Sequence, residues 1–175
     1  MVSALARRVY EACHLTGTFR LRSGQVSHEY FDKYLFEAQP ALLRDVAEAM
    51  VALLPDECDV LAGMELGGIP IATVMSQLTG LPTVFVRKQA KEYGTAKLAE
   101  GGAVAGRRVV VVEDVVTTGG ALLASCRDLR AAGAVVDLVV CAIDREQGGA
   151  ANLAAESLVL RPALTRAGLE AAVRA

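Results

Sequence analysis

Hydrophobic and polar positions along the chain follow two periods, which predict alternating helices and strands. Leu5, Val9 and Cys13 recur at helical spacing and predict a first helix, for which Ser3 is a possible N-cap. The same spacing predicts three further helices, at residues 40–54, 70–80 and 119–132. Short apolar or alternating runs predict strands at residues 19–22, 60–64, 81–86, 108–112 and 135–143.

From residue 60 onward the predicted order is strand, helix, strand, long polar loop, strand, helix, strand. This alternation is typical of an α/β fold with a central, mainly parallel sheet flanked by helices. Ligands of such sheets bind beyond the carboxyl ends of the strands. We therefore expect the functional residues in the segments that follow these strands: 65–68, from Arg87 onward, 113–120 and from Asp144 onward.

Length and composition exclude several classes of protein. The chain has 175 residues, 53% of them hydrophobic, which predicts one domain with a real core. The 18 basic and 20 acidic residues leave a net charge of −2, which argues against nucleic-acid binding through bulk positive charge. The apolar runs are too short to span a bilayer. The four cysteines form no Cys-x-x-Cys pair, so we expect reduced thiols in a cytoplasmic protein.

The most informative stretch is Glu113-Asp114-Val115-Val116-Thr117-Thr118-Gly119-Gly120-Ala121, which joins a valine-rich strand to a helix. Free N–H groups at a helix start, with glycines and threonine hydroxyls beside them, form a site suited to a phosphate. The two acids at the exposed end of the strand suit the hydroxyls of a sugar or a hydrated divalent cation. The stretch thus predicts a pocket for a ribose 5-phosphate. The alternative is an ordinary turn capped by Asp114 and Thr118.

This stretch resembles the signature with which type I phosphoribosyltransferases bind 5-phosphoribosyl 1-diphosphate (PRPP). The resemblance implies that Glu113 and Asp114 contact the ribose hydroxyls and that Thr117 to Ala121 hold the 5-phosphate. It also implies a Mg²⁺ cofactor bound mainly through PRPP, with no dedicated protein metal site. Glu65-Leu66-Gly67-Gly68 resembles the short pyrophosphate loop of the same family, with backbone groups alone available at Leu66 and Gly67.

A basic loop from Arg87 to Gly106 is the second candidate. Its start resembles the Arg-Lys-x-x-Lys-x-His-Gly loop of orotate phosphoribosyltransferases, with Tyr93 where many members have His. The resemblance implies that Arg87, Lys88 and Lys91 are the catalytic cations that stabilise pyrophosphate. It also implies a homodimer in which this loop completes the neighbour's site. The alternative for the loop alone is a solvated, charged surface segment.

Two further segments resemble the base-binding parts of the same enzymes. Arg22, Tyr30 and Phe31 match positions of their N-terminal hood, which implies contact with orotate; a packed surface hairpin is the alternative. Arg145 matches an Asp-Arg-x-x-Gly motif of these enzymes, and the resemblance implies that Arg145 and Thr117 contact orotate. The alternative is that Arg145 forms a salt bridge with a neighbouring acid and does not contact the substrate. His14 is interpreted as a surface residue.

Together these motifs imply a single type I phosphoribosyltransferase domain over residues 1–175, with a hood at about 1–40 and a core at about 41–160. The implied activity is transfer of the phosphoribosyl group of PRPP to orotate, which forms orotidine 5′-monophosphate and pyrophosphate in pyrimidine biosynthesis. Two alternatives stay open. One is a phosphoribosyltransferase for another base, and the other is a PRPP-sensing regulator without catalysis. Neither nucleic acid nor a membrane is expected as a partner.

Overall fold

The computed structural model describes residues 2–20, 24–88 and 99–174. The helices described there are α1 (Val2–Cys13), α2 (Tyr34–Glu37), α3 (Pro40–Val51), α4 (Gly68–Thr79), α5 (Gly120–Ala131), α6 (Gly149–Ala154) and α7 (Arg166–Arg174). The strands are β1 (His14–Arg20), β2 (Val26–Phe31), β3 (Val60–Met64), β4 (Thr83–Val86), β5 (Ala99–Glu100), β6 (Arg108–Val116), β7 (Val135–Asp144) and β8 (Val159–Thr165). None of the helices in these three ranges is long and apolar enough to cross a membrane.

Six strands form one sheet in the order β5-β4-β3-β6-β7-β8. Every neighbouring pair from β4 to β8 is parallel, and only β5 runs antiparallel at its edge. The predicted α/β fold with a mainly parallel sheet is confirmed. The first strand in the chain order of this sheet, β3, lies beside the central strand β6, so the segments that follow them emerge next to each other.

Both faces of the sheet are buried, and the valine run of β6 contributes side chains to the core on each face. Val110 and Val112 pack with α1, α3, α4 and α7 on one face. Val109 and Val111 pack with α5 and α6 on the other face. Successive side chains of a strand point to opposite faces, so an unbroken apolar run is what a strand covered on both sides requires.

The N-terminal part forms a separate antiparallel pair, β1 with β2, flanked by α1 and α2. β1 begins at His14, earlier than the strand predicted at residues 19–22, because its pairing with β2 extends to His14 opposite Phe31. Leu21 and Arg22 lie outside the described residues. α1 begins at Val2, so Ser3 lies within the helix and the expected N-cap is wrong.

The pattern of apolar residues does not predict the C-terminal elements α6, β8 and α7. β8 is the outer strand beside β7 and contains Pro162, and its exposed and partly buried positions give no apolar run. Proline lacks the N–H that a central strand needs, and it is tolerated at such an edge. α6 has only six residues, which is too short for a periodic signal.

Candidate functional site

Four segments meet beyond the carboxyl ends of β3, β4, β6 and β7, where the sequence predicts the site. Backbone and side-chain hydrogen bonds join them. The N–H of Lys88 donates to Oε2 of Glu65 at 2.9 Å. The N–H of Arg145 donates to the carbonyl of Val116, also at 2.9 Å. The predicted loops therefore form one continuous surface.

The turn between β6 and α5 has the geometry of an anion site. Thr117 and Thr118 are exposed, and Gly119 caps α5 with a left-handed φ of 78°. This conformation costs glycine little, and it directs the free N–H groups of the first helical turn outward. The turn is braced by α6, since a Cβ on Gly149 would lie only 2.5 Å from the carbonyl oxygen of Thr117.

The two acids lie within β6, which continues to Val116, and not at an exposed strand end. Glu113 is partly buried and Asp114 is 0% exposed, so the expected exposed end is wrong. The cause is the longer pairing with β7, which reaches Val116 opposite Asp144. Oδ1 of Asp114 accepts a hydrogen bond from the N–H of Val115.

Lys33 and Glu37, which the sequence analysis missed, complete the surroundings of Asp114. The ammonium of Lys33 forms an ion pair with Oδ2 of Asp114. Oε1 of Glu37 faces the same point, since a Cβ on Gly67 would lie 1.7 Å from Oδ2 of Asp114 and 2.7 Å from Oε1 of Glu37. The available signal was weak: Lys33 and Glu37 are four residues apart, a spacing that puts both on one side of a helical turn.

This crowding of carboxyl groups changes their affinity for protons. Burial, together with the Asp114 carboxylate, raises the pKa of Glu37 to about 8. Burial and Asp114 also raise the pKa of Glu113 well above its usual range. Burial opposes the charge of Lys33, but the Asp114 carboxylate outweighs it and raises the pKa of Lys33. Near neutral pH, Lys33 is therefore charged while Glu37 mostly holds a proton.

A cavity of about 270 Å³ lies where β2 faces the end of β7. Phe31 and Arg145 line it, with the guanidinium carbon of Arg145 5.7 Å from the centre of the Phe31 ring. Tyr30 also lines it and stacks on Phe19 with ring centres 5.5 Å apart. His14, which is interpreted as a surface residue, is partly buried: it lines this cavity and stacks on Tyr10 with ring centres 4.7 Å apart.

Glu29, Arg166 and Glu170 also line this cavity, and its part around Arg145 and Phe31 suits a planar, anionic molecule. Nε of Arg145 is buried and has no hydrogen-bond partner within the described part of the chain. A buried guanidinium with an unused donor favours a carboxylate, and aromatic rings beside it favour a flat ring. Because the N–H of Arg145 is bonded to Val116, the cavity adjoins the anion-binding turn.

A larger cavity of about 470 Å³ lies at the opposite edge, near the amino ends of β6, β7 and β8. Its charged groups are mostly internally satisfied. Arg108 pairs with Glu57, and Arg161 donates to the carbonyl of Leu53 at 2.9 Å. The turn and the buried acids lie at the other edge of the sheet. The smaller cavity therefore belongs to the candidate site, although the larger cavity has the greater volume.

The basic loop is only partly within the described residues. Nε of Arg87 lies 3.9 Å from Oε1 of Glu100, and Lys88 is exposed. Lys91 and Tyr93 lie outside the described residues, as does Arg22 of the hood. The structure thus brings together Glu113, Asp114, residues 117–121, Arg145, Tyr30 and Phe31, and it places Arg87 and Lys88 at the same sheet edge.

Comparison with known proteins agrees with this geometry. The chain matches the family model for the phosphoribosyl transferase domain over residues 35–157. It is 62% identical over 170 residues to the orotate phosphoribosyltransferase of a Nocardioides species, covering 97% of this chain and 95% of that protein. The Mycobacterium tuberculosis H37Rv orotate phosphoribosyltransferase in complex with Fe(III) dicitrate superposes with a TM-score of 0.87 at 32% identity, covering 96% of this chain and 98% of the other. The same enzyme in complex with PRPP gives a TM-score of 0.82 at 30% identity, covering 97% and 98%.

Proposed function

Because this chain belongs to the orotate phosphoribosyltransferases of the phosphoribosyltransferase family, we propose that it transfers the phosphoribosyl group of PRPP to orotate. The products are orotidine 5′-monophosphate and pyrophosphate. One observation carries the proposal: the N–H of Arg145 is bonded to Val116, directly before the phosphate turn at Thr117. This hydrogen bond places the guanidinium of Arg145, which suits an anion, next to the turn that suits a phosphate.

The turn and the acids bind PRPP. The N–H groups from Thr117 to Ala121 and the threonine hydroxyls hold the 5-phosphate, while Glu113 and Asp114 supply the carboxyl groups at the ribose end of the site. Val115 and Val116 are the strand residues between them. Because both ends of the sugar are held, C1′ is fixed against the N1 atom of the base. This orientation of the two reacting atoms contributes to the rate of the reaction.

Arg145 and Thr117 bind orotate on the other side of this turn. The guanidinium of Arg145 pairs with the orotate carboxylate, and Phe31 and Tyr30 cover the ring from the hood. Arg22 is a further cation of the hood toward the same carboxylate. Uracil lacks this carboxylate and leaves the buried guanidinium unpaired, so the site discriminates against it.

The reaction requires stabilisation of charge and little acid–base work, because pyrophosphate leaves as an anion. Positive charge develops at C1′ and negative charge on the pyrophosphate as the bond breaks. Arg87, Lys88 and Lys91 neutralise the leaving group and exclude water as the loop closes. Lys91 is the residue whose loss we expect to reduce turnover most, by roughly 100-fold or more.

A Mg²⁺ ion is compatible with these residues when PRPP supplies most of its ligands. Within residues 2–20, 24–88 and 99–174, no three His, Cys, Asp or Glu side chains are grouped to hold a metal ion by themselves. A cation that retains several of its waters would be held mainly by oxygens of PRPP, beside the carboxyl groups of Glu113 and Asp114. When bound, Mg²⁺ neutralises charge on the leaving pyrophosphate.

The proposal extends to the whole chain. Residues 1–175 form one domain, with a hood at about 1–40 and a core at about 41–160. Two copies form a homodimer in which the loop from Arg87 to Gly106 completes the neighbour's site. The enzyme acts in the cytoplasm on PRPP and orotate, in pyrimidine biosynthesis, without nucleic acid or a membrane as a partner.

The test is an assay of the purified protein with PRPP, Mg²⁺ and orotate, followed by the fall in orotate absorbance. Parallel reactions contain uracil, hypoxanthine or adenine in place of orotate. We expect turnover with orotate and at most a small fraction of that rate with the other bases. Turnover with another base but not with orotate would refute the substrate, and PRPP binding without any turnover would favour a regulator.

A further inference from the structure

A buried cluster of charged groups joins the hood to the ribose end of the site. It consists of Lys33 and Glu37, before and within α2, and Glu113 and Asp114 of β6. We propose that Lys33 is a positioning residue for PRPP: its ammonium holds the buried Asp114 carboxylate and thereby fixes the end of β6 that carries Glu113 and leads into the phosphate turn. This inference rests on the proposed function of the site.

The contacts of Asp114 show how Lys33 acts on it. Oδ1 of Asp114 is held by the N–H of Val115, and Oδ2 is paired with the ammonium of Lys33. The side chain of Asp114 is 0% exposed, whereas that of Lys33 is 32% exposed. A buried carboxylate is costly unless it is paired, so the ammonium of Lys33 is the contact that offsets the burial of Asp114.

The other carboxyl groups make this pairing more important. Glu37 and Glu113 surround the ion pair, and Asp32 and Tyr34 lie around it. The ammonium of Lys33 lowers the proton affinity of both Glu37 and Glu113, against the effect of burial. Without it, three carboxyl groups would face one another with no cation, and protonation or rotation would relieve their repulsion. Either change would shift the end of β6 from which the phosphate turn begins.

The position of Lys33 is set by the hood. The N–H of Asp32 donates to the carbonyl of Cys13 at 2.8 Å, and the N–H of Tyr34 donates to Oδ1 of Asp32 at 3.1 Å. Two residues before Lys33, Phe31 faces Arg145 in the base cavity. One short segment therefore contacts both the base cavity, through Phe31, and the PRPP end of the site, through Lys33.

The test compares Lys33→Met and Lys33→Arg with wild type and with the control Arg44→Met, which removes an exposed ion pair to Glu48 on α3. PRPP binding is measured by calorimetry without orotate, and KM for each substrate is measured in the orotate assay. We expect Lys33→Met to weaken PRPP binding about tenfold or more, with the KM for orotate changed less than about threefold. We expect Lys33→Arg to restore most of the affinity and the control to match wild type.

Three outcomes would overturn the inference. Tighter PRPP binding by Lys33→Met would mean that the ammonium only blocks the site, and unchanged binding would mean that it has no role. An equal rise in both KM values together with a lower melting temperature, without rescue by Lys33→Arg, would mean a purely structural role. If wild type binds PRPP but does not convert orotate, the proposed function fails while the comparison of PRPP affinities still decides the role of Lys33.

Discussion

At the scale of single residues, the site is marked by polar atoms that the protein does not satisfy itself. Nε of Arg145 and Oε1 of Glu37 are both buried without a hydrogen-bond partner among the described residues. By contrast, Arg130 donates to three backbone carbonyl groups. Because an unsatisfied buried group costs about 1–3 kcal/mol, such atoms point to a ligand or to a proton.

For Arg145 the expected partner is the carboxylate of orotate. We expect Arg145→Gln to raise the KM for orotate about 10- to 100-fold, the equivalent of one charge-assisted hydrogen bond, while the KM for PRPP changes little. Steady-state kinetics with each substrate varied in turn measures both effects. Arg127→Gln is the matched control, since Arg127 is an exposed arginine that pairs with Glu156. An equal loss for both substrates would contradict the assignment of Arg145 to the base.

For Glu37 the expected partner is a proton, which links its titration to stability. Its pKa rises from 4.5 to about 8 on folding. Between these values the folded state holds a proton that the unfolded chain releases, so the stabilising contribution of Glu37 is complete below pH 4.5 and is lost as the pH rises through about 8. We expect the free energy of unfolding to fall more steeply over this window in wild type than in Glu37→Gln.

Urea unfolding at several pH values across this window measures the difference. The Gln variant keeps the size of the side chain and removes its titration, so the comparison isolates one carboxyl group. Parallel stability curves for the two proteins would show that Glu37 titrates normally in the folded state.

At the scale of elements, the site is built where central strands pass into helices. β3 leads through Gly67 into α4, and β6 leads through Gly119 into α5. The two helices begin at equivalent positions but under different constraints. A Cβ on Gly68 would lie 2.3 Å from the carbonyl oxygen of Val112 in β6, whereas a Cβ on Gly120 would have nothing within 4 Å. Close approach of α4 to the sheet thus depends on glycine.

This contrast predicts different effects of the same substitution at two helix starts. We expect Gly68→Ala to lower the free energy of unfolding by about 1–3 kcal/mol, because the backbone of β6 cannot move aside. Gly120→Ala is expected to be neutral within about 0.5 kcal/mol, or slightly stabilising, since alanine favours a helix. Chemical denaturation of both variants gives the comparison, and equal effects would disprove the close approach at α4.

At the scale of the whole molecule, the site is assembled from parts distant in the chain. The hood contributes Phe31 and Lys33, the sheet contributes Asp114, and β7 is followed by Arg145. α7 packs against α1 and closes the fold around the hood. In the proposed homodimer a further part, the basic loop, comes from the second copy, so a single copy has an incomplete site.

The proposed exchange of loops predicts complementation between two impaired proteins, assayed at an orotate concentration well below the KM of Arg145→Gln. Lys91→Ala lacks the cation of the loop and Arg145→Gln lacks the base contact, so a mixed dimer contains one site with both residues intact. After subunit exchange at equal concentrations, we expect activity to recover to about a quarter of the wild-type value, since half of the dimers are mixed. Each variant treated alone is the control. No recovery, with exchange verified by mass spectrometry, would place the loop in its own subunit's site.

Much of this protein was predictable from local sequence. The apolar period located β3, β6 and β7, and the turn from Thr117 to Gly120 was predictable because its glycines, threonines and neighbouring acids have few other uses. The edge strand β8 and the short helix α2 were missed, since their stability comes from packing against other elements and not from a local pattern. Lys33 was missed for the same reason: its partner Asp114 is 81 positions further along the chain.

By itself the sequence determined the order of β3, α4, β4, β6, α5 and β7 and the sheet edge at which the proposed phosphate-binding and base-binding residues lie. These follow from short-range chemistry, because a valine run must be buried and a glycine-threonine turn must expose its N–H groups. Only the tertiary structure decided that Asp114 is fully buried, that Lys33 neutralises it and that Glu37 holds a proton beside it. Charge balance inside a protein depends on which distant groups the fold places together, and burial makes that pairing decisive.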